Sequence, residues 1–139
     1  MHQISILLPV LTLAFWTFII FAIMAPARFY FLRMKHPQTA AHTKNLKGLL
    51  PLWTERVADN YNHLFEQPTL FYALVTYIFL MNHIDLMHVY LAWSYAVLRI
   101  VHSIIQITSN NVSYRAIVFI ASGLCLVLMI TKEIIFFLS

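Results

Sequence analysis

Residues 86–108 read LMHVYLAWSYAVLRIVHSIIQIT, a run that is apolar except along one line. Arg99, His102, Ser103 and Gln106 follow the spacing i, i+3, i+4, i+7, which puts them on a single helix face. A second set, Asp59, Asn62, His63 and Glu66, repeats that spacing upstream. Leu, Phe, Ile, Val and Tyr surround both sets. Polar stripes in such surroundings do not face lipid. They meet another protein surface, a water-filled cavity or a ligand.

Composition sets the frame for these stripes. Of the 139 residues, 61% are hydrophobic and only 10% are charged. Soluble domains carry far more charge. Two glycines and no alternating segments argue against a β-barrel. The reading is all-α: one helical integral-membrane domain over residues 1–139, with no room for a second. Six of the nine Lys and Arg residues lie between Arg28 and Arg56. That basic loop, 28–56, is predicted to be cytoplasmic. Its residues are spread along a connection between membrane helices, so nucleic-acid binding is not expected. The single Cys125 sits in Leu124-Cys125-Leu126-Val127 and reads as a small apolar residue.

Four spans are predicted, at about 4–25, 54–81, 86–108 and 114–138. The first covers roughly 33 Å as a helix, enough for a hydrocarbon core of about 30 Å. No Lys or Arg precedes it, so it is expected to be a retained span rather than a signal peptide. Pro26 follows, and Arg28 to Leu32 continues at headgroup level. Thr54 is the expected N-cap of span two, with Glu55 and Asp59 favoured in its early turns. Pro68 is expected to kink that span. Asn82-His83-Ile84-Asp85 and Ser109-Asn110-Asn111-Val112-Ser113 are the remaining turns. With the basic loop inside, both polar stripes fall toward the cytoplasmic half. They are expected to face each other or a shared cavity.

Glu66 is the most costly residue to place, at about 2.5–3.5 kcal/mol for a carboxylate at the bilayer centre. Arg99 is its natural partner. One reading makes the pair structural, supported by His63, His102 and Gln106. The other makes the same cluster the lining of an anionic-ligand pocket. Arg115 begins span four, either as an interfacial anchor or as a cation beside an acceptor site. A thiol has an ordinary pKa of about 8.5, and a fixed cation favours its thiolate. Tyr95 lies one turn before Arg99 on the same face, and Tyr114 precedes Arg115. Seven His residues do not form a ligand pattern: there is no His-Glu-x-x-His and no thiolate cluster, so no metal site is expected. His2, His36, His42, His83 and His88 read as interfacial or loop-borne.

Three features together resemble the MAPEG family, the membrane-associated proteins in eicosanoid and glutathione metabolism. They are the basic first loop, the segment Asp59-Asn60-Tyr61-Asn62-His63-Leu64-Phe65-Glu66-Gln67-Pro68-Thr69-Leu70-Phe71-Tyr72, and Arg99-Ile100-Val101-His102-Ser103. The likeness covers nearly the whole chain and is strongest to the bacterial branch. It implies a four-helix bundle assembled as a homotrimer in a bacterial inner membrane. It also implies a glutathione pocket near the cytoplasmic face, between neighbouring subunits. Arg99, His102 and Ser103 match the family's Arg-x-x-His-Ser/Thr pattern, and Arg115 matches the Arg after the last cytoplasmic turn. The family's Arg, Asn, Glu series on span two has two registers here. One sets Asp59, His63 and Glu66 in those slots, and the other Arg56, Asn60 and His63.

Two functions remain open on these residues. In the first, the protein is a glutathione transferase or peroxidase acting on a hydrophobic small molecule drawn from membrane lipids. Arg115 would hold the thiolate, helped by Tyr114 or Tyr95. Arg56, Asn60, Asn62, His63, Glu66, Arg99 and His102 would bind glutathione as co-substrate, with Arg56 on a carboxylate and Glu66 on the α-amino group. In the second, a non-catalytic membrane module of the same fold binds a lipid-like ligand or a protein partner, and the stripes hold the bundle together.

Overall fold

The computed structural model describes residues 6–35, 48 and 50–138. Among the described residues all regular structure is helical: α1 (Leu7–Lys35), α2 (Leu52–His63), α3 (Gln67–Leu80), α4 (Leu86–Ile107) and α5 (Val112–Leu138). Residues 36–47 and 49 of the basic loop, including Lys44 and Lys47, lie outside the described residues. Leu7–Met34 and Val112–Leu138 are long and apolar enough, by length and composition, to cross a membrane. α4 has the length, 22 residues, but carries the polar face.

Three expectations change. α1 does not end at Ala25; it runs unbroken through Pro26 to Lys35. A proline removes one donor and strains one turn, which a long apolar helix tolerates in a membrane. Thr54 is not the N-cap of α2. Pro51 holds that position, and Thr54 is buried in the first turn, donating its backbone N–H to the Pro51 carbonyl at 2.9 Å. Span two is not one kinked helix but two helices, α2 and α3. The chain turns at Leu64–Glu66, and Pro68 lies in the first turn of α3, where its missing N–H costs nothing.

α4 is the central element and touches α1, α2 and α5. Its buried face runs His88, Ala92, Tyr95, Ala96, Arg99, His102, Ser103, Gln106, one continuous stripe at helical spacing. The apolar middle of that face packs Tyr95 flat against Phe71 of α3, ring centres 4.4 Å apart. Leu13 and Ile20 of α1, Val75 and Ile78 of α3, and Met129 of α5 complete the core.

A polar network ties three helices together within this apolar packing. Trp16 Nε1 of α1 donates to Ser103 Oγ at 2.8 Å, and Ser103 Oγ donates to Asn60 Oδ1 of α2 at 2.7 Å. Asn60 Nδ2 then donates to Gln106 Oε1 at 3.2 Å. A single hydroxyl thus serves as acceptor for α1 and donor to α2. Ser103→Ala orphans Trp16 Nε1 and Asn60 Oδ1 together. The expected loss is about 1–2 kcal/mol, above the ~0.6 kcal/mol average for one interhelical bond in a membrane. Thermal unfolding in detergent measures it, with exposed Ser94→Ala on the same helix expected to be neutral.

The turn into α4 is set by Asp85, the N-cap, whose Oδ1 accepts the His88 backbone N–H at 2.9 Å. Asn82, at φ 60°, supplies the left-handed residue that reverses the chain. Burial would push the Asp85 carboxyl up, but the Lys132 ammonium of α5 and the His88 N–H outweigh it and hold the carboxyl below its ordinary value. A lowered carboxyl stabilises the fold above its ordinary value, and that contribution disappears as pH falls through the folded one. Asp85→Asn is therefore expected to flatten the loss of thermal stability below about pH 4 relative to the native chain.

Candidate functional site

The break between α2 and α3 exposes backbone that a helix would have satisfied. Leu64 and Phe65 close the end of α2 onto the Asn60 and Asn62 carbonyls. The His63 carbonyl is taken by Arg99, whose Nη2 donates to it at 2.9 Å. Arg99 Nη1 reaches Gln67 Oε1 at 3.4 Å. The Ser122 hydroxyl of α5 approaches the same Gln67 oxygen at 3.2 Å. Gly123 beside it leaves room for this contact: a Cβ there would meet Gln67 Nε2 at 3.2 Å, tighter than ordinary packing. Arg99 is only 1% exposed, and its guanidinium lies over the Phe119 ring at 5.5 Å.

These contacts correct the expected Glu66–Arg99 pair. Glu66 Oε2 sits 2.8 Å from His63 Nδ1, one turn back, and Arg99 serves the backbone of the break. Asp59, Asn62 and Glu66 lie exposed, so the upstream stripe does not turn into the bundle. The residue of α2 that does is Asn60, which sits one position along from Asp59 and so faces α4.

A cavity of about 310 Å³ opens where the break meets the start of α5. Its lining is His63, Glu66, His102, Val112, Arg115, Ala116 and Phe119. Two of these seven side chains come from the break, four from the first turns of α5 and one, His102, from the polar face of α4. His102 is nearly buried, with its ring 6.0 Å from that of Phe119, and forms no hydrogen bond among the described residues. Arg115 is held at the rim by Asn110, whose Oδ1 accepts from Arg115 Nη1 at 2.5 Å. Asn111 caps α5 by accepting from the Ser113 and Tyr114 backbone N–H groups at 3.0 and 3.3 Å. The helix N-terminus and Arg115 therefore both present positive charge to the cavity.

Four of the expected site residues converge on this cavity: His63, Glu66, His102 and Arg115. The others go elsewhere. Arg56 Nη1 donates to the Thr108 carbonyl at 2.8 Å and closes the end of α4. Asn60 belongs to the interhelical network, and Asn62 is exposed. Tyr114 is 63% exposed on the outer side of α5. Tyr95 is fully buried on Phe71, its hydroxyl without a hydrogen-bond partner, away from the cavity lining. Phe119 and Ala116 are lining residues that sequence reasoning missed. Their signal was the register of α5, since Ala116 follows Arg115 and Phe119 lies one turn beyond it.

His88 was also misplaced. It is 1% exposed, not interfacial, with Nδ1 at 3.0 Å from Asp85 Oδ1 and Nε2 at 3.3 Å from Glu133 Oε1. His83 Nδ1 lies 2.8 Å from Glu133 Oε2. Its signal was the α4 stripe, which continues back from Arg99 by seven and four residues to Ala92 and His88. Among the described residues no group of three or more His, Cys, Asp or Glu side chains is arranged to hold a metal ion.

Two helices long and apolar enough to cross a bilayer, a polar face buried inside the bundle and a cavity with charged residues at one end fit a helical membrane protein. Residues 6–134 match the profile of the MAPEG family, and the chain belongs to that family. No curated protein and no solved structure matches the chain.

Arg99→Lys keeps the charge but not the two-pronged reach to His63 and Gln67. It is expected to lower stability by about 1.5–3 kcal/mol, the range for hydrogen bonds to a charged group. Arg115→Lys, at the rim, is expected to cost less. Thermal unfolding of the two variants side by side reads the difference.

Proposed function

We propose that the cavity at the α2–α3 break binds glutathione and that the protein is a membrane glutathione transferase or peroxidase acting on lipophilic electrophiles. The observation that carries this reading is the convergence of Arg115, Glu66, His63 and His102 on one cavity in a MAPEG-family chain. Each has a distinct use. The Arg115 guanidinium and the N-terminus of α5 favour a thiolate over a thiol. Glu66, exposed on the opposite wall, suits an α-ammonium group. The buried His102 ring offers one donor and one acceptor to the peptide. Phe119, Ala116 and Val112 make an apolar wall along which a hydrophobic co-substrate can lie.

Conjugation on this arrangement is a single displacement. The thiol proton leaves to solvent or to a cavity imidazole, and the thiolate sulfur bonds to the electrophilic carbon. The leaving group departs with its electron pair. For a hydroperoxide, two glutathione molecules supply the two electrons, giving the alcohol, water and the disulfide. Arg115 raises the fraction of bound glutathione present as thiolate, so its removal slows the reaction by depleting the nucleophile.

Exposed apolar side chains on α1 and the first half of α5, such as Phe15, Phe18, Ile117 and Ile120, suit a homotrimer in which neighbouring subunits cover part of each cavity. Arg56 lies outside the cavity, so the peptide's carboxylates would take their cation from Arg115 or from a neighbouring subunit.

Purified protein in detergent is expected to bind glutathione at millimolar concentration or below and to show the ultraviolet absorbance of the thiolate. Arg115→Ala should remove the thiolate signal and lower kcat/KM toward a generic aromatic electrophile by about 100-fold. Glu66→Gln should weaken glutathione by about tenfold. Absence of glutathione binding would overturn the enzyme reading and leave the non-catalytic module. Binding with an unchanged thiolate signal in Arg115→Ala would overturn only the role given to Arg115.

A further inference from the structure

The end of the bundle far from Arg115 holds a second group of charges with an apolar groove beside it. His88 and His102 are 14 residues apart on α4, about 21 Å at 1.5 Å per residue, so the two ends are separate. Asp85 is ion-paired with Lys132. Glu133, only 7% exposed, is flanked by His83 at 2.8 Å and His88 at 3.3 Å. An imidazole can satisfy a carboxylate oxygen as a neutral donor without bringing a fixed charge. Two carboxylates thus share one permanent cation, and the Lys132–Asp85 pair uses it.

Glu133 also lines a groove of about 310 Å³ between α3 and α5, with Leu74, Tyr77, Ile130, Ile134 and Phe137. A nearly buried carboxylate in an apolar wall attracts a cation that itself carries an apolar body. Tyr77 adds an aromatic ring suited to an ammonium group. The groove opens among side chains facing the surroundings of a membrane span: Phe137 is 83% and Leu138 78% exposed. An occupant therefore arrives from the lipid side.

We infer that the α3–α5 groove is a binding site for a lipid with a primary-ammonium headgroup, the ammonium on Glu133 and the acyl chains running inward along Ile130 and Leu74. The site is independent of the glutathione cavity and needs none of its residues.

The test uses the full-length protein in detergent, titrated with phosphatidylethanolamine or phosphatidylglycerol of identical chains and read by native mass spectrometry. Phosphatidylethanolamine is expected to bind about tenfold tighter. Glu133→Gln should reduce that preference to less than about twofold while leaving phosphatidylglycerol binding unchanged. Since Glu133→Gln also disturbs the histidine contacts, Ile130→Trp provides a second arm. It fills the groove, leaves Glu133, His83 and His88 in place, and should abolish the preference equally. Equal binding of the two lipids, or a preference that survives both substitutions, overturns the site. Decylamine binding more tightly than phosphatidylethanolamine overturns the lipid as occupant.

Discussion

The hydrogen bond from Arg99 to the His63 carbonyl is the contact on which the site depends. A membrane helix that stops in mid-span leaves carbonyls that lipid cannot satisfy. Here α2 stops at His63 and α3 begins at Gln67, and the His63 carbonyl, which the Glu66 N–H reaches only at 3.4 Å, is met at 2.9 Å by a guanidinium from the facing helix. With that contact in place the break is a fixed corner. His63 and Glu66 then project from the corner toward the start of α5, which is what brings them to one cavity with Arg115. The burial of Arg99 follows from the same contact, since its charge is spread over a carbonyl, an amide oxygen and the Phe119 ring.

α4 carries polar groups at both ends of its buried face and apolar ones between them. Ala92, Tyr95 and Ala96 form the dry middle, where Tyr95 stacks on Phe71. Above it lie Arg99, His102, Ser103 and Gln106, and below it His88. The two polar ends obey different rules. At the Arg99 end, an indole, a hydroxyl and two amides from three helices satisfy one another in a chain of neutral bonds, with one guanidinium on backbone. At the His88 end, carboxylates, imidazoles and an ammonium meet, and the balance of charge is not closed by the permanent groups.

Much of this was legible in the residues. The helical class and the polar face of α4 came from hydropathy and a spacing of three and four, which an α-helix cannot disguise. His63, Glu66 and His102 were named from the same pattern and Arg115 from its place at the start of span four, and the four line one cavity. What failed was the facing of α2. Asp59, Asn62, His63 and Glu66 share a helical spacing, but so does the set Arg56, Asn60 and His63. Spacing alone does not say which set turns inward. Tertiary packing decides it: Asn60 can reach Ser103 and Gln106 as a neutral donor and acceptor, whereas burying Asp59 would strand a charge. The break at Leu64–Glu66 escaped because Pro68 reads equally as a kink within one helix or as the first turn of a new one. His83, His88, Asp85, Lys132 and Glu133 escaped because they lie 50 residues apart in the chain and only the α4–α5 packing unites them.

The allocation of the arginines carries the argument about chemistry one step further. Arg56 is spent on the Thr108 carbonyl at the exposed end of α4, and Arg99 on the His63 carbonyl within the bundle. A guanidinium so held keeps a fixed position but has little left to give a ligand. Arg115 differs: its one side-chain bond is to Asn110, a turn residue at φ 53°, and the rest of its guanidinium borders the cavity. Among the described cations around this site it alone is both positioned by a neighbour and open to an incoming anion. The structural arginines make the cavity, and the remaining one faces into it.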